Sequence, residues 1–271
     1  MPKIYFEQED REGQPGILIM EDLNTAYTVD TFTPVKLEQI KNVIEHITRF
    51  HVFQLNHRLK PWQGKFPVFY DESDVKSIKN MLCVLKEYQP DVFGPLVDTI
   101  LKLYNDLKFK EYAKCCDVLG LPKLVTHGDL WIGNILWENN SENVKAFIDF
   151  AESFEGNPMY DIAKVLTCTD ATIRRKVENE FFEIYIEHLK NNVDPENAKL
   201  FSIEKLRKAY GVAQVYTLLS LAISLATNRV VPNGSNKEEH ERKLAQHIEK
   251  TKLAFEDAVK FLKHEMPEWI K

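Results

Sequence analysis

The residue types able to do chemistry concentrate in one stretch, LVTHGDLWIGNILWENNSENVKAFIDF, residues 124–150. It holds His127-Gly128-Asp129, then Asn134 in a D-x4-N spacing, then Asp149 at the end of the apolar run Val144 to Ile148. That run and Ile135-Leu136-Trp137 flank the polar turn Glu138–Asn143, which predicts a hairpin. Symmetry about Ser141–Glu142 sets Asn134 opposite Asp149, at the same open end, with Asp129 on the loop just before. A carboxylate that accepts or orients a hydroxyl proton, beside an amide oxygen and a second carboxylate, suits phosphoryl transfer. Magnesium takes hard oxygen ligands and few of them from protein, and Asn134 and Asp149 supply one each. Asp129 is best placed as the base. Turn chemistry alone also favours Asp and Asn, so a plain loop is the competing reading.

The elements that must position these groups are mostly helical. Pro2–Phe6 and Ile17–Met20 read as two short strands around a polar turn. Thr33-Pro34 predicts an N-cap and first-turn proline for a helix carrying Leu37, Ile40, Val43, Ile44, Ile47 and Phe50. Residues 58–72 read as loop, and 73–88 and 91–116 as helices. Strand and turn character occupies 121–150. Helices resume at Asn157-Pro158 and continue over 171–190 and 202–228. The last helix opens on the capping box Ser235-x-x-Glu238 and stops by Pro267.

Composition sets outer bounds. With 271 residues, 44% hydrophobic and 11% aromatic, the chain can bury a sizeable core. A net charge of −6 disfavours nucleic acid and anionic lipid as partners. None of the ten glycines form GxG, which excludes a dinucleotide fingerprint. Four cysteines with no CxxC pair read as a reducing compartment, and the charged start MPKIYFEQEDRE lacks the core of a secretory leader, so a cytoplasmic location is expected. Ala209 to Asn228 carries no formal charge, yet its polar residues favour a buried core helix over a membrane span. Other motifs fail. Gly128-x4-Gly133 mimics half a P-loop, but Asn134-Ile135 follows where Lys-Ser/Thr is required. His240, His247 and His264 lack zinc spacing and read as a solvated face. Trp137 reads as core; Trp131 is divided between packing and substrate contact.

The wording H-G-D-L-W-x-x-N-I-L-W, then F-I-D-F and G-N-P-x-x-D-I-A, is similar to the choline-kinase-like and aminoglycoside-phosphotransferase branch of the kinase fold. Within it, the ecdysteroid-kinase-like (CHK kinase-like) proteins resemble the chain most, with a nematode-like phrasing, over nearly the whole length. The resemblance implies an α+β, protein-kinase-like fold: residues 1–23 as an N-lobe remnant and hinge, and 24–271 as a mainly helical C-lobe with a small β hairpin insert. It implies an ATP- and magnesium-dependent small-molecule kinase acting on an alcohol. Asp129 would be the catalytic base, with His127 organising its loop, Asn134 and Asp149 the magnesium ligands, and Asp161 the anchor of the loop. Met20-Glu21-Asp22-Leu23 matches the family's hinge, where backbone groups of Glu21 and Leu23 would bind adenine. Ala151 stands where many relatives carry glutamine. The family's phosphate loop, phosphate-pairing lysine and partner glutamate lie upstream of the hinge, and nineteen residues with the single lysine Lys3 precede Met20 here. A missing lobe supplied in cis or in trans, or an inactive kinase-derived binding module, are the two expectations that follow.

Overall fold

The computed structural model describes residues 2–67, 72–104, 114–232, 234–267 and 270. Two short apolar runs at the front form β1 (Ile4–Gln8) and β2 (Ile17–Met20), antiparallel with Ile4 opposite Met20 and Gln8 opposite Ile17. Side chains on both faces of this ribbon lie open, from 39% exposed at Ile4 to 60% at Tyr5. Two strands alone are marginal in water, so the ribbon depends on whatever it meets.

Beyond a turn capped by the Asp30 carboxylate, which accepts from Phe32 N and Thr33 Oγ1, α1 spans Leu37–Asn56. Thr33-Pro34 therefore belongs to that turn and not to the helix start. The cap is Lys36, whose N–H donates to the Gln39 side chain at 2.9 Å. Next come α2 (Glu72–Tyr88) and α3 (Pro90–Leu101). The single helix expected over 91–116 ends at Leu101; residues 105–113 lie outside the described residues, and α4 (Cys115–Leu119) stops at Gly120 in the left-handed region.

The β insert holds β4 (Leu124–Thr126), β5 (Ile135–Glu138), β6 (Val144–Phe147) and β7 (Phe154–Gly156). β4 pairs with β7, and β5 with β6. A two-residue strand the sequence did not suggest, β3 (Ala26–Tyr27), adds to the outer edge of β5. The hairpin register differs from the symmetric one. Ile135 faces Phe147 and Leu136 faces Ala146, then an irregularity brings Trp137 opposite Val144. Asn134 accordingly faces Ile148, whose N–H donates to the Asn134 carbonyl, and Asp149 sits one residue further on.

Five helices complete the fold: α5 (Tyr160–Thr167), α6 (Ala171–Asn192), α7 (Pro195–Ala198), α8 (Ile203–Asn228) and α9 (Lys237–Glu265). α8 is apolar and long enough to cross a membrane, but 72% of its most apolar window is buried, against α5, α9 and α2. It is a core helix. Fully buried Arg174 on α6 reaches Asp257 on α9 at 2.5 Å, and Arg175 joins the same carboxylate, clamping the two helices. The Asn236 side chain caps α9 by accepting from Glu239 N, one residue later than the box expected at Ser235.

The histidines of α9 correct the expectation of a solvated face. His240 and His247 are buried, edge-on to the Phe32 ring, with Nε2 of each bonded to Asn228 O and Ser224 Oγ respectively. Burial, helped by Lys250, holds His247 down to about 3, and burial alone does the same to His51, whose Nδ1 meets the Tyr185 hydroxyl. Both rings are neutral packing elements at ordinary pH. His264 is exposed.

Candidate functional site

The loop between β4 and β5 is held from beneath by Asp161. This carboxylate, 3% exposed in the first turn of α5, accepts from His127 N at 2.7 Å and Gly128 N at 3.1 Å. Burial pushes its pKa up, while these two bonds and Lys164 pull it back. The His127 ring is buried against Phe150, with centroids 4.3 Å apart, and its Nε2 lies 2.8 Å from Ile148 O. His127 thus ties the loop to the end of β6 and does not face the site. Gly128 has φ +84°, and a Cβ there would come within 1.9 Å of the Glu152 carbonyl. Only glycine fits where the loop crosses the 149–153 turn.

This scaffold presents Asp129, with its side chain 35% exposed. The Asn134 amide nitrogen donates to Asp129 O at 2.8 Å and lies 3.4 Å from Asp129 Oδ2. With its nitrogen so engaged, the amide oxygen is the atom left for a cation. Asp149 has φ +65° and an exposed carboxylate that makes no hydrogen bond or ion pair among the described residues. Left-handed backbone at a residue other than glycine is uncommon and concentrates at functional positions. An amide oxygen and a carboxylate without a protein partner, at one end of a hairpin, are hard-oxygen donors of the type magnesium takes.

Lys164 is the site residue the sequence reading missed. Its side chain, 8% exposed, reaches Asp129 Oδ1 at 2.8 Å and also bonds Ser220 Oγ on α8. Its position three residues after Asp161 puts both on one face of α5, but that spacing does not name its partner on the loop. Beyond it opens a cavity of about 410 Å³ between the loop, α5, α8 and α9, bounded by Trp131, Ile132, Leu221 and Lys250 among others. Trp131 faces this cavity and folds over Gly133, where a Cβ would strike its ring at 2.2 Å. Trp137, in contrast, is fully buried core.

The residues expected at the hinge lie at the far end of β2. Glu21 N donates to Lys3 O at 2.8 Å, and Leu23 O accepts from Ala26 N at 2.9 Å. The Glu21 carbonyl and Leu23 N–H have no partner among the described residues. Met20 is exposed.

With this geometry in view, comparison with known proteins places the chain. The family profile DUF1679, described as "Uncharacterized oxidoreductase dhs-27", matches residues 1–266. The chain belongs to this family. It is similar to the Caenorhabditis elegans protein of that description, 27% identical over 224 residues, covering 77% of this chain and 27% of the relative. It is also similar to the Caenorhabditis elegans "Uncharacterized kinase-like protein D1044.1", 22% identical over 191 residues, covering 69% of this chain and 50% of the relative. The chain therefore spans a half or less of the curated relatives it matches. Among solved structures it resembles a protein from Ralstonia eutropha described as a candidate aminoglycoside phosphotransferase. The TM-score is 0.54 at 14% identity, over 96% of this chain and 78% of that one. This is a likeness of fold, and it supports the mainly helical, protein-kinase-like architecture.

Proposed function

We propose that this family member transfers the γ-phosphoryl group of ATP to a hydroxyl of a small molecule, with Asp129 as the base. The observation that carries this reading is Asp129 at the mouth of the 410 Å³ cavity, on a loop that also fixes Asn134. Asn134 and Asp149 would hold magnesium, which when bound offsets the charge of the nucleotide phosphates. The open Glu21 carbonyl and Leu23 N–H would take the adenine. Asp161 and His127 hold the loop. The kinase-like relative and the phosphotransferase-like fold agree with this chemistry; the ecdysteroid-kinase-like branch and a cytoplasmic location are the finer assignments drawn from sequence alone.

The oxidoreductase of the family description is said of a protein of which this chain spans 27%, and the chain carries no GxG for a dinucleotide. One feature favours a second reading, an inactive binding module. Both Asp129 oxygens already have protein partners, Lys164 and Asn134. Label transfer from γ-labelled ATP to alcohols separates the two readings. It should be undetectable with residues 1–271 alone and should appear once a lobe bearing a strand-borne lysine is supplied ahead of Met1. No transfer in either form favours the binding module. Turnover by the chain alone would show that another group, such as Lys3, handles the phosphates.

A further inference from the structure

The charge of the cavity beside Asp129 is at odds with an amine substrate. Two lysines line it, Lys164 from α5 and Lys250 from α9. Among its described lining residues Asp129 is the one carboxylate, and that carboxylate is already paired with Lys164. Lys250 has no such partner. Its Nζ donates to Thr31 O at 3.1 Å, and no carboxylate among the described residues lies within ion-pair distance. Cys168, whose thiol burial keeps protonated, and the carboxylates of Asp170 and Asp30 act on it without a hydrogen bond or ion pair, with Arg174 opposing them. The neighbouring His247 is neutral and bonded to Ser224. An ammonium has three protons to give, so two of them have no protein acceptor among the described residues.

A half-buried lysine short of a counter-ion is costly, and an anion placed against it removes the cost. Burial holds the Lys250 pKa below the usual lysine value. A bound anion would reverse that. The remaining walls include the Trp131 ring, Ile132 and Leu221, an apolar surface in a cavity of ordinary ligand size. Recognition of a quaternary ammonium needs several rings and a free carboxylate converging, and this lining offers one ring and a carboxylate already engaged.

We propose that the acceptor is an anionic amphipathic alcohol, whose hydroxyl lies at Asp129, whose apolar body lies against Trp131 and Leu221, and whose carboxylate, sulfate or phosphate is received by Lys250. The role of the hydroxyl rests on the phosphoryl-transfer reading; the preference for an anion does not.

Calorimetry on the full chain tests it with three ten-carbon probes differing at one end: a hydroxydecanoate, a decanediol and an aminodecanol. The hydroxydecanoate should bind about tenfold or more tightly than the aminodecanol, the worth of one charge-assisted hydrogen bond. Lys250→Gln should weaken the hydroxydecanoate about 10- to 100-fold and leave the decanediol within about twofold, which also certifies that the variant is folded. Lys250→Arg should retain the preference. Equal binding of the three probes, or tighter binding of the amine, overturns the proposal. So does a Lys250→Gln variant that loses affinity for ATP or inorganic phosphate while keeping the hydroxydecanoate, since the lysine then serves the nucleotide. Lys250-dependent hydroxydecanoate binding without label transfer in the lobe-completed protein refutes the kinase reading and leaves this one standing.

Discussion

Asp129→Asn is expected to lower label transfer by the lobe-completed protein about 10²–10⁴-fold, the usual contribution of a positioned general base. The same change has a second effect that must be separated from the first. Lys164 is buried and its Nζ meets Asp129 Oδ1, so the amide leaves a buried ammonium without its counter-charge. Stranding one partner of a fully buried pair costs about 3–5 kcal/mol. Asp129 is a third exposed, and solvent screening reduces this to about 2 kcal/mol. Pairing Asp129→Asn with Lys164→Gln removes the stranded charge and should return the melting temperature toward that of the parent. Turnover should stay lost in the double variant. Recovery of turnover together with stability would assign Asp129 a structural role and take it out of the chemistry.

Asp161→Ala is expected to cost about 2–5 kcal/mol, since the N–H groups of His127 and Gly128 would each be left buried without an acceptor. For a chain of this size that corresponds to a fall of roughly 5–15 °C in thermal unfolding. An acidic residue exposed in a first helical turn would cost only a few tenths of a kcal/mol through the helix dipole. Its burial at 3% exposure is what separates the two outcomes. A variant that melts like the parent would show that the loop holds its shape by other means, through His127 Nε2 on Ile148 O and the fit of Gly128 under Glu152.

The hairpin was legible because apolar runs around a polar turn leave few alternatives, and the helices because their apolar residues recur at helical spacing. The register was not. Symmetric pairing centres the turn on Ser141–Glu142, whereas Trp137 opposite Val144 centres it one residue earlier, and the irregularity between Leu136 and Trp137 restores only half of that difference, leaving Asn134 opposite Ile148. His240 and His247 were misjudged by their charged neighbours in sequence. They fall on the same buried stripe of α9 as Leu244, Thr251, Ala254 and Phe255, and the stripe carried more information than the neighbours did. Lys164 and Lys250 lay beyond reach for a different reason. Their meaning comes from tertiary contacts with Asp129, Ser220 and Thr31, and a lysine on a helix has no local pattern that announces a buried partner. Strand β3 is two residues long and owes its existence to the free edge of β5.

The claim at the centre of this account is that Asn134 and Asp149 hold a divalent cation against nucleotide phosphates, and ATP titration with and without magnesium addresses it most directly. Asp149 suits the test because its carboxylate is exposed and makes no hydrogen bond or ion pair among the described residues, so its removal breaks neither. In the parent, magnesium should tighten ATP binding by about tenfold or more, equivalent to about 1.4 kcal/mol. In Asp149→Ala that gain should vanish while the magnesium-free affinity stays close to that of the parent. The same magnesium dependence in both proteins would contradict the account.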